Sequence, residues 1–231
     1  MKKIAISQSN YIPWKGYFDL INLVDQFILY DDVQYTRRDW RNRNIIKTSQ
    51  GLKWLTIPVE VKGKYFQKVN KTRVSDPSWS TKHWQIIQNF YSRAPYFKTY
   101  KGIFEEYYLN SEDLLLSQIN YKLIKIIMNI LGIKTQLRWS TEFNLSEGRT
   151  ERLVGICKQA DCSSYLSGPA AKCYFDELIA KEAGIEVIWM DYSNYPEYAQ
   201  LHPPFEHGVT ILDLIFNEGP DASKYMKSFK K

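Results

Sequence analysis

One stretch near the amino terminus, residues 4–32, constrains the fold most strongly, because it contains signals for a strand, a turn, a helix and a second strand in immediate succession. The apolar run at 4–6 is typical of a short strand entering a sheet. Residues 7–16 combine polar residues with Pro and Gly, which predicts a turn. Apolar residues then repeat at helical spacing over 17–24, and 26–30 predicts another strand. The stretch is therefore predicted to form a β–α–β unit.

The loops of this unit carry polar side chains suited to ligand binding. Asp31 and Asp32 directly follow the second predicted strand, and the basic segment 37–44 comes next. In open α/β folds, ligands bind at the carboxyl edge of the parallel strands, where such loops meet. We therefore predict that this edge forms the active site.

The carboxyl-terminal half returns to the same alternation of strands and helices. Strands are predicted at 135–139, 163–166 and 186–190, and helices at 150–160 and 173–183. Alternation at this spacing predicts βαβ units. The predicted fold class is α/β, with a mostly parallel, Rossmann-like sheet.

The middle of the chain interrupts this alternation. Residues 54–61 and 66–69 are predicted to be the arms of a β-hairpin, and Pro58 restricts the first arm to an edge position. Helical patterns follow, and we interpret residues 79–132 as a helical insertion in a single α/β domain spanning 1–231. The first helical pattern begins at 79 and is broken by Ala94-Pro95, and further helices are predicted at 100–109 and 114–131.

Positive charge is concentrated in the first third of the chain. Residues 1–75 contain 14 Lys and Arg against 6 Asp and Glu, whereas residues 76–231 contain 17 against 19. A local cationic field attracts anionic ligands, either phosphorylated metabolites or nucleic acid. Charge alone does not distinguish these ligands from a solvated basic surface.

Cysteine usage and hydropathy predict a cytoplasmic protein. The three cysteines fall in one region, at 157, 162 and 173, without the C-x-x-C spacing. This pattern indicates reduced thiols rather than a disulfide framework. We recognise neither a signal peptide nor an apolar run long enough for a membrane span.

The first turn offers one candidate anion site. Lys15, Gly16 and Tyr17 stand at the predicted start of the helix, where free backbone amides and the helix dipole favour an anion. The turn is similar to the H-x-G-H signature of nucleotidylyltransferases, which also follows a first strand. Both histidines of the signature are replaced here, which weakens the similarity. Nucleotidyl transfer or adenylate formation is therefore an alternative function and not the leading one. A simple tight turn fits the motif equally well.

The acidic pair and the basic segment offer the second candidate site. Asp31 and Asp32 are interpreted as catalytic carboxylates, of which one faces the ligand, because adjacent side chains of an extended segment point to opposite sides. Arg43, between Asn42 and Asn44, is interpreted as a phosphate ligand flanked by directional amides. With its aromatic residues, the segment 34–73 also fits an RNA-binding module.

A third candidate follows the strand predicted at 163–166. Ser167 and Gly168 begin a turn of small residues, and Lys172 stands at the next predicted helix start, which is a generic anion cradle. His202, Glu206 and His207 match no familiar zinc spacing, so we predict no metal site.

Taken together, the chain resembles the WbqC-like family of bacterial proteins almost end to end. The resemblance rests on Gln8, Tyr11, Pro13, Gly16, Tyr17, Asp25, Asp31-Asp32, Asn42-Arg43-Asn44, Leu131-Gly132, Tyr165-Leu166-Ser167-Gly168, Tyr174, the loop 195–200 and Ile211-Leu212-Asp213. Members of this family occur in gene clusters for O-antigen, the lipopolysaccharide side chain, and related surface polysaccharides. The resemblance implies a transferase for glycine or another amino acid, and it adds Gln8 and Tyr11 to the substrate-binding residues.

The leading hypothesis is a transferase that acylates an amino sugar, carried as a nucleotide-linked sugar, with an amino acid such as glycine. In this hypothesis Lys15 and Arg43 hold phosphates, and Asn42 and Asn44 orient the sugar. A carboxylate of the acidic pair accepts the proton from the sugar amine. The acyl donor is left open between an amino acid activated by ATP with magnesium and an aminoacyl-tRNA, which would make tRNA a partner.

Overall fold

The alternating pattern of strands and helices forms one five-stranded parallel sheet in the computed structural model, which describes residues 2–229. The strands within these residues are β1 Lys3–Ser7, β2 Gln26–Leu29, β3 Arg43–Thr48, β4 Gly51–Thr56, β5 Gln136–Trp139, β6 Ser164–Ser167 and β7 Glu186–Trp189. The large sheet has the order β5-β2-β1-β6-β7, and every neighbouring pair is parallel. The predicted Rossmann-like α/β class is confirmed.

Side chains of the large sheet alternate between two buried faces, as the pleat of a strand requires. Phe27 and Leu29 of β2 contact one apolar core, whereas Ile28 between them contacts another. In β1, Ala5 belongs to the first core and Ile4 to the second. Both faces of the sheet are therefore covered, which explains why its strands are apolar on both sides.

Helices cover the two faces unequally. The helices are α1 Lys15–Asn22, α2 Trp79–Tyr91, α3 Phe97–Asn110, α4 Leu116–Leu131, α5 Arg149–Gln159, α6 Glu177–Glu182 and α7 Ile211–Glu218. The first core contains buried residues of α1, α2, α3, α4 and α7, and the second contains those of α5 and α6. Gly132 ends α4 with φ of 73°, the left-handed conformation predicted for a helix C-cap.

The β-hairpin lies earlier in the chain than predicted. Strands β3 and β4 pair antiparallel from Arg43 with Thr56 to Thr48 with Gly51, so the hairpin uses residues 43–56. The first predicted arm, 54–61, overlaps β4 only over 54–56. The second, 66–69, is wrong, since residues 57–74 form only isolated bridges and a 3-10 turn at Val69–Lys71. Arg43 and Asn44, which were placed in a loop, belong to the start of a strand, and Asn42 directly precedes it.

The segment after β6 also differs from the prediction of a helix over 173–183. Pro169–Cys173 forms a 3-10 turn, and α6 begins at Glu177 after Asp176, whose side chain accepts a hydrogen bond from the Leu178 amide. Asp is a favoured N-cap residue, so the helix start follows a local rule that the apolar spacing did not reveal. None of the helices within residues 2–229 combines the length and apolar character needed to cross a membrane.

Candidate functional site

A cleft of about 780 Å³ opens at the carboxyl ends of β1 and β6. Helix α1 follows β1 on one face of the sheet, while α5 precedes β6 on the other, so the strand order reverses at this point. Crevices at such switch points are the usual ligand sites of open α/β sheets. The lining includes Ser7, Gln8, Asn10, Trp14, Tyr17, Tyr30, Trp40, Arg41, Arg149, Arg152, Ser167, Gly168, Tyr174 and Tyr192.

Three arginines supply the charge of the cleft. Arg41 is largely buried, with 13% of its side chain exposed, and it donates to Oδ1 of Asn10. Its buried Nε has no hydrogen-bond partner among the described residues. Arg152 donates to the Ser146 carbonyl at 2.9 Å and, like Arg149, comes from the start of α5. Guanidinium groups bind phosphate and carboxylate oxygens bidentately.

Aromatic rings form much of the remaining wall. The rings of Trp14 and Tyr192 meet edge to face, with centroids 5.2 Å apart. Trp40 and Tyr174 are 42% and 46% exposed and line the same cleft, so both retain free ring surface. Such rings provide stacking surfaces for a base or a sugar. The cleft therefore combines cationic forks with aromatic faces.

Four residues of the predicted site line this cleft: Gln8, Tyr17, Ser167 and Gly168. The Tyr17 hydroxyl donates to the Gln8 carbonyl at 2.9 Å, and burial raises the pKa of Tyr17 well above its ordinary value. A Cβ added at Gly168 would lie 3.8 Å from the Tyr192 hydroxyl, which is ordinary contact. The two predicted loops after β1 and β6 thus meet in one cavity.

The predicted carboxylates lie beside the cleft rather than in its lining. Asp31 is 1% exposed and accepts hydrogen bonds from the backbone amide and hydroxyl of Ser9, at 2.7 and 2.6 Å. Burial raises the pKa of Asp31. Asp31 borders a neighbouring cavity of about 250 Å³, whereas Asp32 accepts from Lys68 at 2.8 Å. The two carboxylates have different partners.

Lys15 begins α1 but faces the carboxyl-terminal loop. Its ammonium donates to the Pro196 carbonyl at 3.0 Å and lies 5.1 and 5.2 Å from the ring centroids of Tyr195 and Tyr198. Burial lowers the pKa of Lys15 to about 8. Lys15 is not part of the cleft lining, and neither is its neighbour Gly16.

The remaining predicted amides and hydroxyl hold the backbone around the cleft. Asn42 donates to the Ile57 carbonyl at 2.8 Å, and Asn44 donates to the carbonyls of Tyr11 and Ile12 at 3.0 and 2.9 Å. The Tyr11 side chain is fully buried. These side chains hold the backbone around the cleft in place and do not themselves line the cleft.

The two other predicted cations stack on tryptophans. The Arg43 guanidinium lies 4.1 Å from the Trp54 ring and donates to the Arg38 carbonyl. Lys172 is exposed, with its ammonium 5.5 Å from the Trp189 ring. Neither residue lines the cleft.

Sequence reasoning missed the arginines of α5 and most of the aromatic wall. Arg149 and Arg152 lie in the first turn of α5, which the sequence predicts at 150–160. The predicted start of this helix could therefore have placed both arginines at the ligand-binding edge of the sheet. The preceding Gly148, with φ of 86°, marks the same helix start. Trp14 and Tyr192 had no comparable local signal, because their meeting depends on the tertiary fold.

Fold and cleft together define a Rossmann-like α/β protein with a basic, aromatic-walled site at the switch point of its sheet. The chain belongs to the WbqC-like protein family, whose family model matches residues 8–225. It is 49% identical over 227 residues to the uncharacterized protein Rv1507c of Mycobacterium tuberculosis, covering 98% of each chain. No solved structure matches it.

Proposed function

We propose that the protein binds a nucleotide-linked amino sugar in the cleft and transfers an acyl unit, such as an amino acid, to the sugar amine. The observation that carries this proposal is the cleft itself, where Arg41, Arg149 and Arg152 meet aromatic rings at the switch point. Guanidinium groups suit a diphosphate, and the rings of Trp14 and Tyr174 suit a base and a sugar. Membership of a family that occurs in surface-polysaccharide gene clusters supplies the chemical class.

The transfer step needs an activated acyl donor and a proton acceptor. The amine lone pair forms a bond to the carbonyl carbon of an acyl-adenylate, made with ATP and magnesium, or of an aminoacyl-tRNA ester. The carbon–oxygen bond to AMP or tRNA then breaks, and that oxygen leaves with the electron pair. Asp31, the predicted base, does not line the cleft and already accepts two hydrogen bonds from Ser9, so the amine proton passes to the departing oxygen. The proton leaves with the released product.

The binding step is tested with arginine variants and UDP-glucosamine. We expect Arg149→Ala and Arg152→Ala each to weaken binding by about 10- to 100-fold, because each removes about 1.5–3 kcal/mol of charge-assisted hydrogen bonding. Isothermal titration calorimetry measures the change. Arg93→Ala, at an exposed arginine between α2 and α3, is the matched control and retains affinity. Equal affinities in all four proteins would overturn the proposal for this cleft.

The reaction is tested by mass spectrometry of UDP-glucosamine incubated with amino acids and ATP, or with charged tRNA. A mass increase equal to one aminoacyl residue is expected. Magnesium-dependent release of pyrophosphate without an acylated sugar would instead indicate the nucleotidyl-transfer alternative.

The exposed aromatics of the basic segment 34–73 favour a second function, RNA binding. Tyr65 and Phe66 are 71% and 82% exposed, and Lys62 and Lys64 lie beside them. Aromatic rings among lysines suit stacking on unpaired bases. A steep fall of tRNA affinity with salt, lost in a Tyr65→Ser, Phe66→Ser double variant, would support this function. Salt-insensitive or absent tRNA binding would exclude it.

A further inference from the structure

A second, smaller pocket shares a wall with the cleft. It has a volume of about 270 Å³, and Asn10, Trp14 and Trp40 line both cavities. Its other walls come from Pro13, from Asn44 and from the loop 207–208 near the start of α7. A ligand in the cleft and a ligand in this pocket would therefore contact the same side chains.

Most polar groups around the smaller pocket are already engaged. The Asn44 amide donates to the Tyr11 and Ile12 carbonyls, and its oxygen accepts from the Ile45 amide at 2.7 Å. Oδ1 of Asn10 accepts from Arg41. What remains for a ligand is ring surface of Pro13, the two tryptophans and His207, together with the side-chain nitrogen of Asn10. The smaller pocket is thus suited to an apolar group, in contrast to the arginine-rich cleft.

The loop that forms the shared wall is held in a strained conformation. Ile12 has φ of 36°, which is rare for a β-branched residue. Its carbonyl accepts from Asn44 at 2.9 Å and from the Thr210 hydroxyl at 2.7 Å, and the next carbonyl, of Pro13, accepts from the Ile211 amide at 2.9 Å. Backbone strain persists only where surrounding contacts enforce it, and such places cluster at ligand sites.

We infer that the smaller pocket binds the apolar side chain of the acyl unit that is transferred to the sugar held in the cleft. This inference rests on the proposed function and specifies its second substrate. An apolar cavity of about 150 Å³ already accommodates benzene. A pocket of about 270 Å³ therefore fits a branched or aromatic side chain, whereas glycine would leave it empty. The acyl unit is a larger, apolar amino acid.

Amino-acid amides serve as probes of the smaller pocket, with UDP-glucosamine as the probe of the cleft. Saturation-transfer NMR measures the affinities of leucinamide, phenylalaninamide and glycinamide with and without UDP-glucosamine. We expect the two apolar amides to bind at least tenfold more tightly than glycinamide, because each buried methylene contributes about 0.8 kcal/mol. We also expect them to bind alongside UDP-glucosamine. Displacement by UDP-glucosamine, or equal affinities for all three amides, would overturn the inference.

Two glycines allow each cavity to be filled separately. Gly208 lines the smaller pocket and Gly168 the cleft, and neither has a positive φ, so a leucine strains neither backbone. We expect Gly208→Leu to weaken phenylalaninamide binding at least tenfold and to spare UDP-glucosamine, and Gly168→Leu to do the reverse. Gly102→Leu, in open space on α3, is the control for both. Phenylalaninamide binding unchanged in Gly208→Leu would overturn the inference.

The two proposals fail in different ways. If UDP-glucosamine binds at the arginines but no amide binds, the inference falls and the proposed function stands. If the amides bind and Gly208→Leu weakens their binding, but UDP-glucosamine does not bind, the proposed function is overturned instead. His207→Ala, which removes another wall, replaces Gly208→Leu if circular dichroism shows that the leucine variant is unfolded, and it is expected to weaken phenylalaninamide binding several-fold.

Discussion

A buried chain of hydrogen bonds, here called the relay, joins Tyr108, Tyr11 and His83. The backbone carbonyl at its His83 end determines which atom donates in each bond. Nε2 of His83 faces the Thr56 carbonyl at 3.2 Å, and a carbonyl only accepts, so this nitrogen carries the proton. Nδ1 then accepts from the Tyr11 hydroxyl at 2.8 Å, and that hydroxyl accepts from Tyr108 at 2.7 Å. The relay needs a neutral imidazole.

This relay predicts a pH dependence of stability. Burial lowers the pKa of His83 from 6.5 to about 4, so the unfolded chain binds a proton between these values while the folded protein does not. The free energy of unfolding that depends on neutral His83 is complete above pH 6.5 and falls as pH decreases towards 4, by about 3 kcal/mol at most. Urea unfolding at pH 7 and pH 4 measures it.

The test compares His83→Gln with the wild type. The variant is expected to lose less stability between the two pH values, since it has no imidazole to protonate. The same substitution at the exposed His207 should leave the wild-type pH dependence unchanged. Parallel stability curves for the wild type and His83→Gln would contradict the assignment.

Single residues also explain which parts of the site could be predicted. Gln8 and Gly168 directly follow strands and Ser167 ends one, and the end of a strand can be predicted from local apolar spacing. Asn44 was predicted to touch substrate because amides suit sugars, yet its amide is used by the strained backbone of Ile12. Residue type does not distinguish an amide that binds a ligand from one that holds a loop.

At the scale of elements, the start of α1 is packed directly against the shared wall of the two cavities. Gly16 lies on the first turn of the helix, and a Cβ added there would overlap the Trp14 ring. Trp14 in turn meets Tyr192 and Tyr195, with centroids 5.2 and 5.5 Å away. The absence of a side chain at Gly16 therefore determines where the Trp14 ring stands.

We predict that Gly16→Ala displaces the Trp14 ring and weakens binding in both cavities. The affinities for UDP-glucosamine and phenylalaninamide should fall together, and the near-ultraviolet circular dichroism should change. Gly102→Ala, within α3, has open space and should instead stabilise the protein by about 0.5–1 kcal/mol, as alanine does in a helix. Unchanged affinities in Gly16→Ala would show that Trp14 does not form the wall.

The hairpin shows why one element was misplaced. The strand β3 begins with Arg43 and Asn44, residue types that indicate loops, and β4 follows after only two residues. Gly51, with φ of 101°, permits this tight connection. In contrast, the apolar run of β2 and the helical repeat of α4 had the expected periods, and both were predicted near their observed bounds.

At the scale of the whole molecule, one carboxylate joins distant parts of the chain. Asp19, on α1, is fully buried and accepts from the Tyr195 hydroxyl at 2.6 Å. It also accepts from the backbone amides of Lys227 and Ser228 at 2.9 and 2.8 Å. A single side chain therefore fixes both the loop around Tyr195 and the segment after α7 to the first helix.

We predict that Asp19→Ala frees the carboxyl-terminal segment. Hydrogen exchange of the Lys227 and Ser228 amides should accelerate, because their acceptor is removed, and the free energy of unfolding should fall by about 1.5–3 kcal/mol. Exchange mass spectrometry and urea unfolding measure the two effects. Asp221→Ala, at an exposed aspartate that pairs with Lys224, should change neither. Protected amides in Asp19→Ala would contradict this role.

The position of β1 in the middle of the sheet has a consequence for synthesis on the ribosome. Its neighbour β2 emerges soon after it, but its other neighbour, β6, is translated only when residues 164–167 are added. At about 5–20 residues per second, the first strand waits roughly 10–30 s with one side unpaired. Nascent chains of this protein therefore present an apolar β-edge to solvent, or to a chaperone, until β6 has been translated.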